Sequence, residues 1–143
     1  MIDLIVFSVE NNKYALSIDN VKRIIQAEEL TDMPSAHELI DGIMSYENSV
    51  IKILNFRRLI GIEPHEDESK DIEDSTLKFL FYENDNENFA IKVDLIDDIA
   101  HVQESDIMNS DEKHNISEFL ELSGVLDIDG VLINVIKSIH LPN

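Results

Sequence analysis

The 143-residue chain contains no cysteine. That absence excludes a disulfide framework and any thiolate metal site, and it fits a reducing compartment. Glycine occurs only four times, and no glycines are placed as a phosphate-cradling loop requires. Basic residues are scarce: 11 Lys and Arg stand against 30 Asp and Glu, for a net charge of −19. Such a field repels phosphate backbones and anionic lipid surfaces, so neither nucleic acid nor direct membrane insertion is expected. The acids are spread along the chain, which favours a solubilising surface over a dedicated basic-partner site. No apolar run approaches the ~18 residues of a membrane span. Met1-Ile2-Asp3-Leu4 lacks the basic start and apolar run of a signal peptide. A soluble, cytoplasmic protein is the expectation.

What the chain does have is core material. Hydrophobic residues make up 43%, and a chain of this length can bury roughly 68–70% of its unfolded surface. The apolar residues come in short runs broken by polar turns. Lys13 to Ile18 alternates with period two, with Tyr14, Leu16 and Ile18 on one side, as a half-buried strand does. Further strands are predicted at Leu4 to Val9, Val21 to Ala27, Leu77 to Tyr82, Phe89 to Val93 and Ile96 to Val102. Two hairpins are predicted, one turning at Asn48-Ser49 and one at Asp129-Gly130, the stronger signal. Short helical turns are predicted at Ala36 to Ile40, capped by Ser35, at Asn55 to Ile60, closed by Gly61, and at Ile116 to Leu120. Ser105 to His114 reads as polar loop. Many closely spaced strands with little helix predict an all-β barrel or sandwich.

The chain also repeats itself. A shift of 75 places Tyr14-Ala15-Leu16-Ser17-Ile18-Asp19 on Phe89-Ala90-Ile91-Lys92-Val93-Asp94. A shift of 82 places Gly42-Ile43-Met44 on Gly124-Val125-Leu126. Residues 63–75 are polar, acidic and proline-marked and can bury little, so they read as a linker. The expected organisation is therefore a first β-barrel half at 1–62, the linker at 63–75, and a second half at 76–143. Each half has about five strands and must close on itself or pack on its twin to hide its edges. Two small barrels sharing a central core satisfy that demand.

Little in the chain looks like catalytic chemistry. Asp127-Ile128-Asp129-Gly130-Val131-Leu132 resembles the nucleophile motif of haloacid-dehalogenase phosphatases. It aligns with a hairpin in the first half and lacks βαβ units around it, so a turn is favoured. Asp85 to Asn88 lacks the glycine and distal glutamate of a calcium loop. The five histidines show no HxH or HExxH spacing. No metal site, no cofactor and no enzyme activity is expected.

The order of these segments resembles the CheW-like family of chemotaxis adaptors across nearly the whole chain. The opening strands Leu4 to Val9, Tyr14 to Ile18 and Val21 to Ile24 carry the likeness. So do the segment Pro34 to Gly61 and the terminal Gly-Val-Leu…Asp-Gly…Leu-Ile hairpin. The resemblance implies two five-stranded SH3-like barrels and a non-catalytic bacterial adaptor of two-component signalling. It implies two partners, the regulatory domain of a CheA-type histidine kinase and the cytoplasmic tip of a chemoreceptor. By position it points to Val21, Arg23, Glu47 and Leu77 as walls of an inter-barrel groove. Arg23, Arg57 and Arg58 stand out in so acidic a chain, and each reads either as paired with nearby carboxylates or as a partner anchor. Kinase contacts in the family use barrel loops and apolar ends; Met44, Ile51 and Ile53 are either such an end or plain core.

The chain departs from the family pattern in three places. The family hairpin reads Gly-Val-x-Asn-Leu-Arg-Gly, whereas here Gly42-Ile43-Met44-Ser45-Tyr46-Glu47-Asn48 puts Glu47 where the arginine belongs. Lys52 replaces a proline, and Asp-Leu-Arg becomes Asn55-Phe56-Arg57. A charge reversal at a complementary interface can cost several kcal/mol. A divergent module serving another signalling complex is the alternative expectation.

Overall fold

The structure is a computed structural model, which describes residues 1–34, 36–62, 77–108 and 118–142. Ser35, the acidic segment 63–75 and most of the second variable loop lie outside the described residues. Among the described residues ten strands and one α-helical turn follow in order, with 3-10 turns at Ile18–Asn20 and Glu104–Asp106: β1 (Ile2–Val9), β2 (Asn12–Ser17), β3 (Val21–Gln26), β4 (Ile40–Tyr46), β5 (Ser49–Asn55), α1 (Phe56–Leu59), β6 (Lys78–Glu83), β7 (Asn88–Val93), β8 (Leu95–Val102), β9 (Leu120–Ile128) and β10 (Val131–Ile139).

They form two five-stranded sheets, in the orders β8-β1-β2-β10-β9 and β3-β6-β7-β5-β4. Replacing each strand by its repeat mate, five places along the chain, turns one order into the other. The registers match too. Phe7 pairs with Tyr14 as Tyr82 pairs with Phe89, and Val135 pairs with Ala15 as Ile53 pairs with Ala90. Each sheet starts to close on itself through the segment after an outer strand: Thr31 bridges Ile43, and Met108 bridges Val125.

The sheets do not follow the halves expected from sequence. The hairpin β1–β2 of the first half sits in a sheet with β8–β10 of the second, and β6–β7 sits with β3–β5. The halves 1–62 and 76–143 are thus not separate barrels; they exchange their first hairpins. Burial supplies the reason. The strands of these hairpins are apolar on both faces, so a single covered face cannot satisfy them. Leu4, Val6 and Ala15 point into one barrel, and Phe79, Phe81 and Ala90 into the other. Their alternates Ile5, Phe7, Tyr14, Leu16, Leu80, Tyr82, Phe89 and Ile91 fill a third core between the sheets. There Phe56 meets Phe7 and Tyr14 edge to face, at centroid distances of 5.2 and 4.9 Å.

Smaller corrections have local causes. Residues 36–39 form turns rather than a helix, because Ile40 already belongs to β4 and the His37 carbonyl accepts its N–H at 2.9 Å. Likewise Leu120 opens β9 instead of ending a helical turn. Gly42 and Gly124 lie inside strands at register breaks, where small residues belong. An added Cβ at Gly42 would meet the Thr31 carbonyl oxygen at 2.7 Å; at Gly124 it would strike that of Met108. The first hairpin turns at Glu47-Asn48, one residue before the expected Asn48-Ser49. Glu47 and Asn48 both take positive φ (48° and 68°), as a type I′ turn demands. By contrast, Asn55 caps α1 as its position predicts, accepting the Arg58 N–H at 3.1 Å, and Gly61 closes it.

Two outcomes test this packing. Gly124→Ala should cost about 1–3 kcal/mol of stability in urea unfolding, because backbone cannot move aside cheaply. Burial raises the Tyr14 phenol above its ordinary value of 10.0. The fold therefore favours the neutral phenol, and that contribution is complete below pH 10 and fades as pH climbs through the raised value. Tyr14→Phe, the residue its repeat mate Phe89 already is, should lose less stability between pH 9 and 11 than the parent.

Candidate functional site

The cleft beside the first hairpin gathers two of the five sequence-derived partner residues. It holds about 350 Å³ and is lined by Lys22, Arg23, Tyr46, Glu47, Ile51 and Phe81 among others. β3 supplies Arg23, and the β4–β5 turn supplies Glu47. The Arg23 guanidinium lies 3.7 Å from the Glu47 carboxylate and 5.1 Å from the centre of the Tyr46 ring. Tyr46 is itself braced edge to face against Phe81 at 5.0 Å. With 51% and 71% of their side chains exposed, Arg23 and Glu47 are open to a partner. An exposed pair of this kind contributes only about 0–1 kcal/mol to the fold. Glu47 thus faces a cation of its own chain.

The other three residues divide. Val21 opens β3, half-buried, with its side chain against the central core. Leu77 is 3% exposed, packs inside the second barrel and gives its carbonyl to the Ala27 N–H. It is a core residue rather than a groove wall. Met44, Ile51 and Ile53 are buried in the same barrel.

Arg57 turns inward. Its Nε and Nη2 grip both oxygens of Asp94 at 2.9 Å, and only 16% and 19% of the two side chains are exposed. Asp94 is the single residue between β7 and β8, where the chain passes from one sheet to the other. Its carboxylate also accepts the Glu10 N–H at 2.8 Å, and its N–H donates to the Ser8 carbonyl at 3.2 Å. This carboxylate therefore ties α1 of one sheet to the β1–β2 turn of the other. The repeat mate Asp19 is exposed and makes no ion pair among the described residues. The matched aspartates share a position but not a task.

A second pair of clefts is related by the repeat. One, of about 560 Å³, includes Leu4, Ser17, Glu104, Ser123 and Lys137. The other, of about 380 Å³, has Phe79, Lys92, Glu29, Asp41 and Asn55 at the corresponding positions. In the second, Lys92 lies 2.6 Å and Arg58 3.8 Å from the Asp41 carboxylate. The sequence reading missed these clefts, although the two repeat shifts already bring their linings into register.

The motifs set aside in the sequence fold as turns. Asp129 and Gly130 take positive φ, and Asp127 accepts the Gly130 N–H at 2.9 Å. Asn84 accepts the Asn86 and Glu87 N–H groups at 2.9 and 2.8 Å. Glu87 in turn accepts the Leu141 N–H at 2.7 Å and meets His140. His101 pairs with Asp3. Among the described residues no three His, Cys, Asp or Glu side chains are grouped to hold a metal. No described helix is long and apolar enough to cross a membrane.

The family model for the CheW-like domain matches residues 3–141. The chain belongs to the CheW-like family. It is similar to the chemotaxis protein CheW of Bacillus subtilis, with 26% identity over 135 residues, 94% of this chain and 83% of that protein. The match to the chemotaxis protein CheW of Thermotoga maritima is shorter. It has 21% identity over 70 residues, 49% of this chain, and it spans less than half (46%) of that protein's length. The crystal structure of the scaffolding protein TtCheW from Thermoanaerobacter tengcongensis shares the CheW-like fold seen here. Its TM-score is 0.82 at 22% identity, covering 97% of this chain and 90% of that one.

The Arg57–Asp94 clamp makes a stability prediction. Arg57→Ala leaves a largely buried carboxylate without its cation and should cost about 1–3 kcal/mol in denaturant unfolding. Arg23→Ala should change stability by less than about 0.5 kcal/mol.

Proposed function

We propose that this CheW-like chain is a non-catalytic chemotaxis adaptor. It couples a chemoreceptor tip to the regulatory domain of a CheA-type histidine kinase through protein–protein contacts. The family match from residue 3 to residue 141 carries this reading, since it spans both sheets and not one barrel alone. The curated relatives named as chemotaxis proteins support it. The cleft around Arg23 and Glu47 is the proposed receptor-facing surface; Val21, packed against the central core, lies outside its lining. It offers an arginine held over an aromatic ring, a combination suited to partner anchoring. Arg57 and Leu77 are engaged inside the fold, so neither belongs to the proposed surface.

One observation favours the second reading, a CheW-like module retuned for another signalling complex. Glu47 reverses the family's charge and pairs with Arg23 of its own chain. A partner complementary to the usual arginine would meet a carboxylate here, at a cost of several kcal/mol.

Pull-downs with the cognate kinase regulatory domain and receptor tip test the first reading, and capture of neither would sink it. Glu47→Arg separates the two. If the module is retuned, the variant should gain at least tenfold affinity for the kinase or receptor of an ordinary array. Unchanged affinity would leave only the adaptor reading with its own matched partners.

A further inference from the structure

The chain passes from one sheet to the other at two places, and these crossings are repeat mates. The first, through the 3-10 turn Ile18–Asn20, joins β2 to β3; the second, through Asp94, joins β7 to β8. The shift of 75 lays Ile18, Asp19 and Asn20 on Val93, Asp94 and Leu95. The lengths agree, but the anchoring does not. Val93 is fully buried in the central core, whereas Ile18 is 38% exposed. Asp94 is gripped by Arg57 and by the Glu10 N–H. Asp19 has no such clamp, because the shift of 82 lays Arg57 on Ile139, an apolar core residue. The first crossing has slighter bonds instead. The Asp19 N–H donates to the Ser17 hydroxyl at 3.3 Å, and the Asn20 side chain donates to the Glu83 carbonyl at 3.0 Å.

The unclamped crossing leads from the β1–β2 hairpin. That hairpin lies between β8 and β10, and its rings Phe7 and Tyr14 meet Phe56. All of these partners come from beyond the crossing. A second copy presents the same slot, so the hairpin of one copy fits the slot of the other with each of these contacts reproduced. Only the turn Ile18–Asn20 has to change. Exchange of an identical element is a low-cost route to a dimer, and a short hinge invites it. Extended, the hinge reaches at most about 14 Å from Ser17 to Val21. The two units therefore sit hinge to hinge, which brings the exposed Ile18 of each copy beside the other.

We propose that Ile18–Asn20 is a hinge, and that this chain forms a dimer with a second copy by reciprocal exchange of the β1–β2 hairpin. The dimer is closed and two-fold, and it needs no contact between outer strands. Interconversion with the monomer is slow, because the hairpin belongs to two cores and leaves only when its sheet opens. The dimer carries two Arg23 clefts in one molecule, which raises its avidity for a partner that offers two sites. The exchange stands on the unequal crossings and not on the adaptor reading.

Refolding of the full chain from urea reads it out. Refolding at about 1 mM protein should yield a dimer that survives dilution on size exclusion, and refolding at about 1 µM should yield monomer. A double variant, Asp3→Cys with His101→Cys, identifies the dimer. These residues are Cα partners on β1 and β8, and the chain has no other cysteine. Their disulfide closes within one chain in the monomer and joins two chains in the exchanged dimer. The oxidised dimer should therefore stay dimeric in denaturant. Asp19→Pro disfavours the helical backbone of Ile18, and should raise the dimer share at least about fivefold after refolding at about 50 µM. A parent that gives no dimer at any of these concentrations overturns the proposal. So does a dimer whose oxidised cysteine variant separates in denaturant into internally linked monomers, and so does a folded Asp19→Pro variant with an unchanged dimer share. Circular dichroism checks the fold of each variant. If Asp19→Pro fails to refold, the parent and the cysteine variant decide without it.

Discussion

Everything in this molecule depends on the double-sided burial of two hairpins. β1–β2 and β6–β7 are apolar on both faces, and such a ribbon must be covered above and below. One face lines a barrel, and the other lines the core between the sheets. Because each hairpin sits in the sheet built by the opposite half, the two halves are locked together by main-chain ladders as well as by side chains. The Arg57–Asp94 clamp then fixes the crossover between the sheets. Exposed side chains are left for the places this arrangement does not use: the outer strands, the hairpin tips and the barrel-end clefts.

The sequence made the strands and the duplication legible for a plain reason. Alternation and apolar runs report burial directly, and a repeat register needs only matched residues. The shift of 82 even holds the turn that the local reading missed, because it carries Asp129-Gly130 back onto Glu47-Asn48. Strand exchange was not legible. Pairing partners of one sheet lie as far apart in sequence as Asn134 and Tyr14, and two similar half-patterns pair equally well within or between halves.

The candidate site was legible in part. Arg23 and Glu47 come together because the register sets β3 and the first hairpin on one side of the second barrel. Arg57 stood out, as a partner anchor or as a cation paired within the chain, because arginine is rare in so acidic a chain. Its real partner lies 37 residues away, at a crossover whose location depends on the exchange. Leu77 stood next to the linker in sequence but points into a barrel. Both outcomes come from the same source: local sequence shows what a residue can do and not which sheet will receive it.

The exchanged hairpins also order events in time. Within this fold β1 and β2 leave a ribosome ahead of the other strands, while the strands that flank them, β8 and β10, come late. The first hairpin has no complete sheet to join until almost the whole chain is available. Long-range pairing of this kind slows folding and leaves apolar ribbon uncovered meanwhile. Once formed, the same arrangement denies either barrel an independent melting transition, so the two should come apart as one cooperative unit.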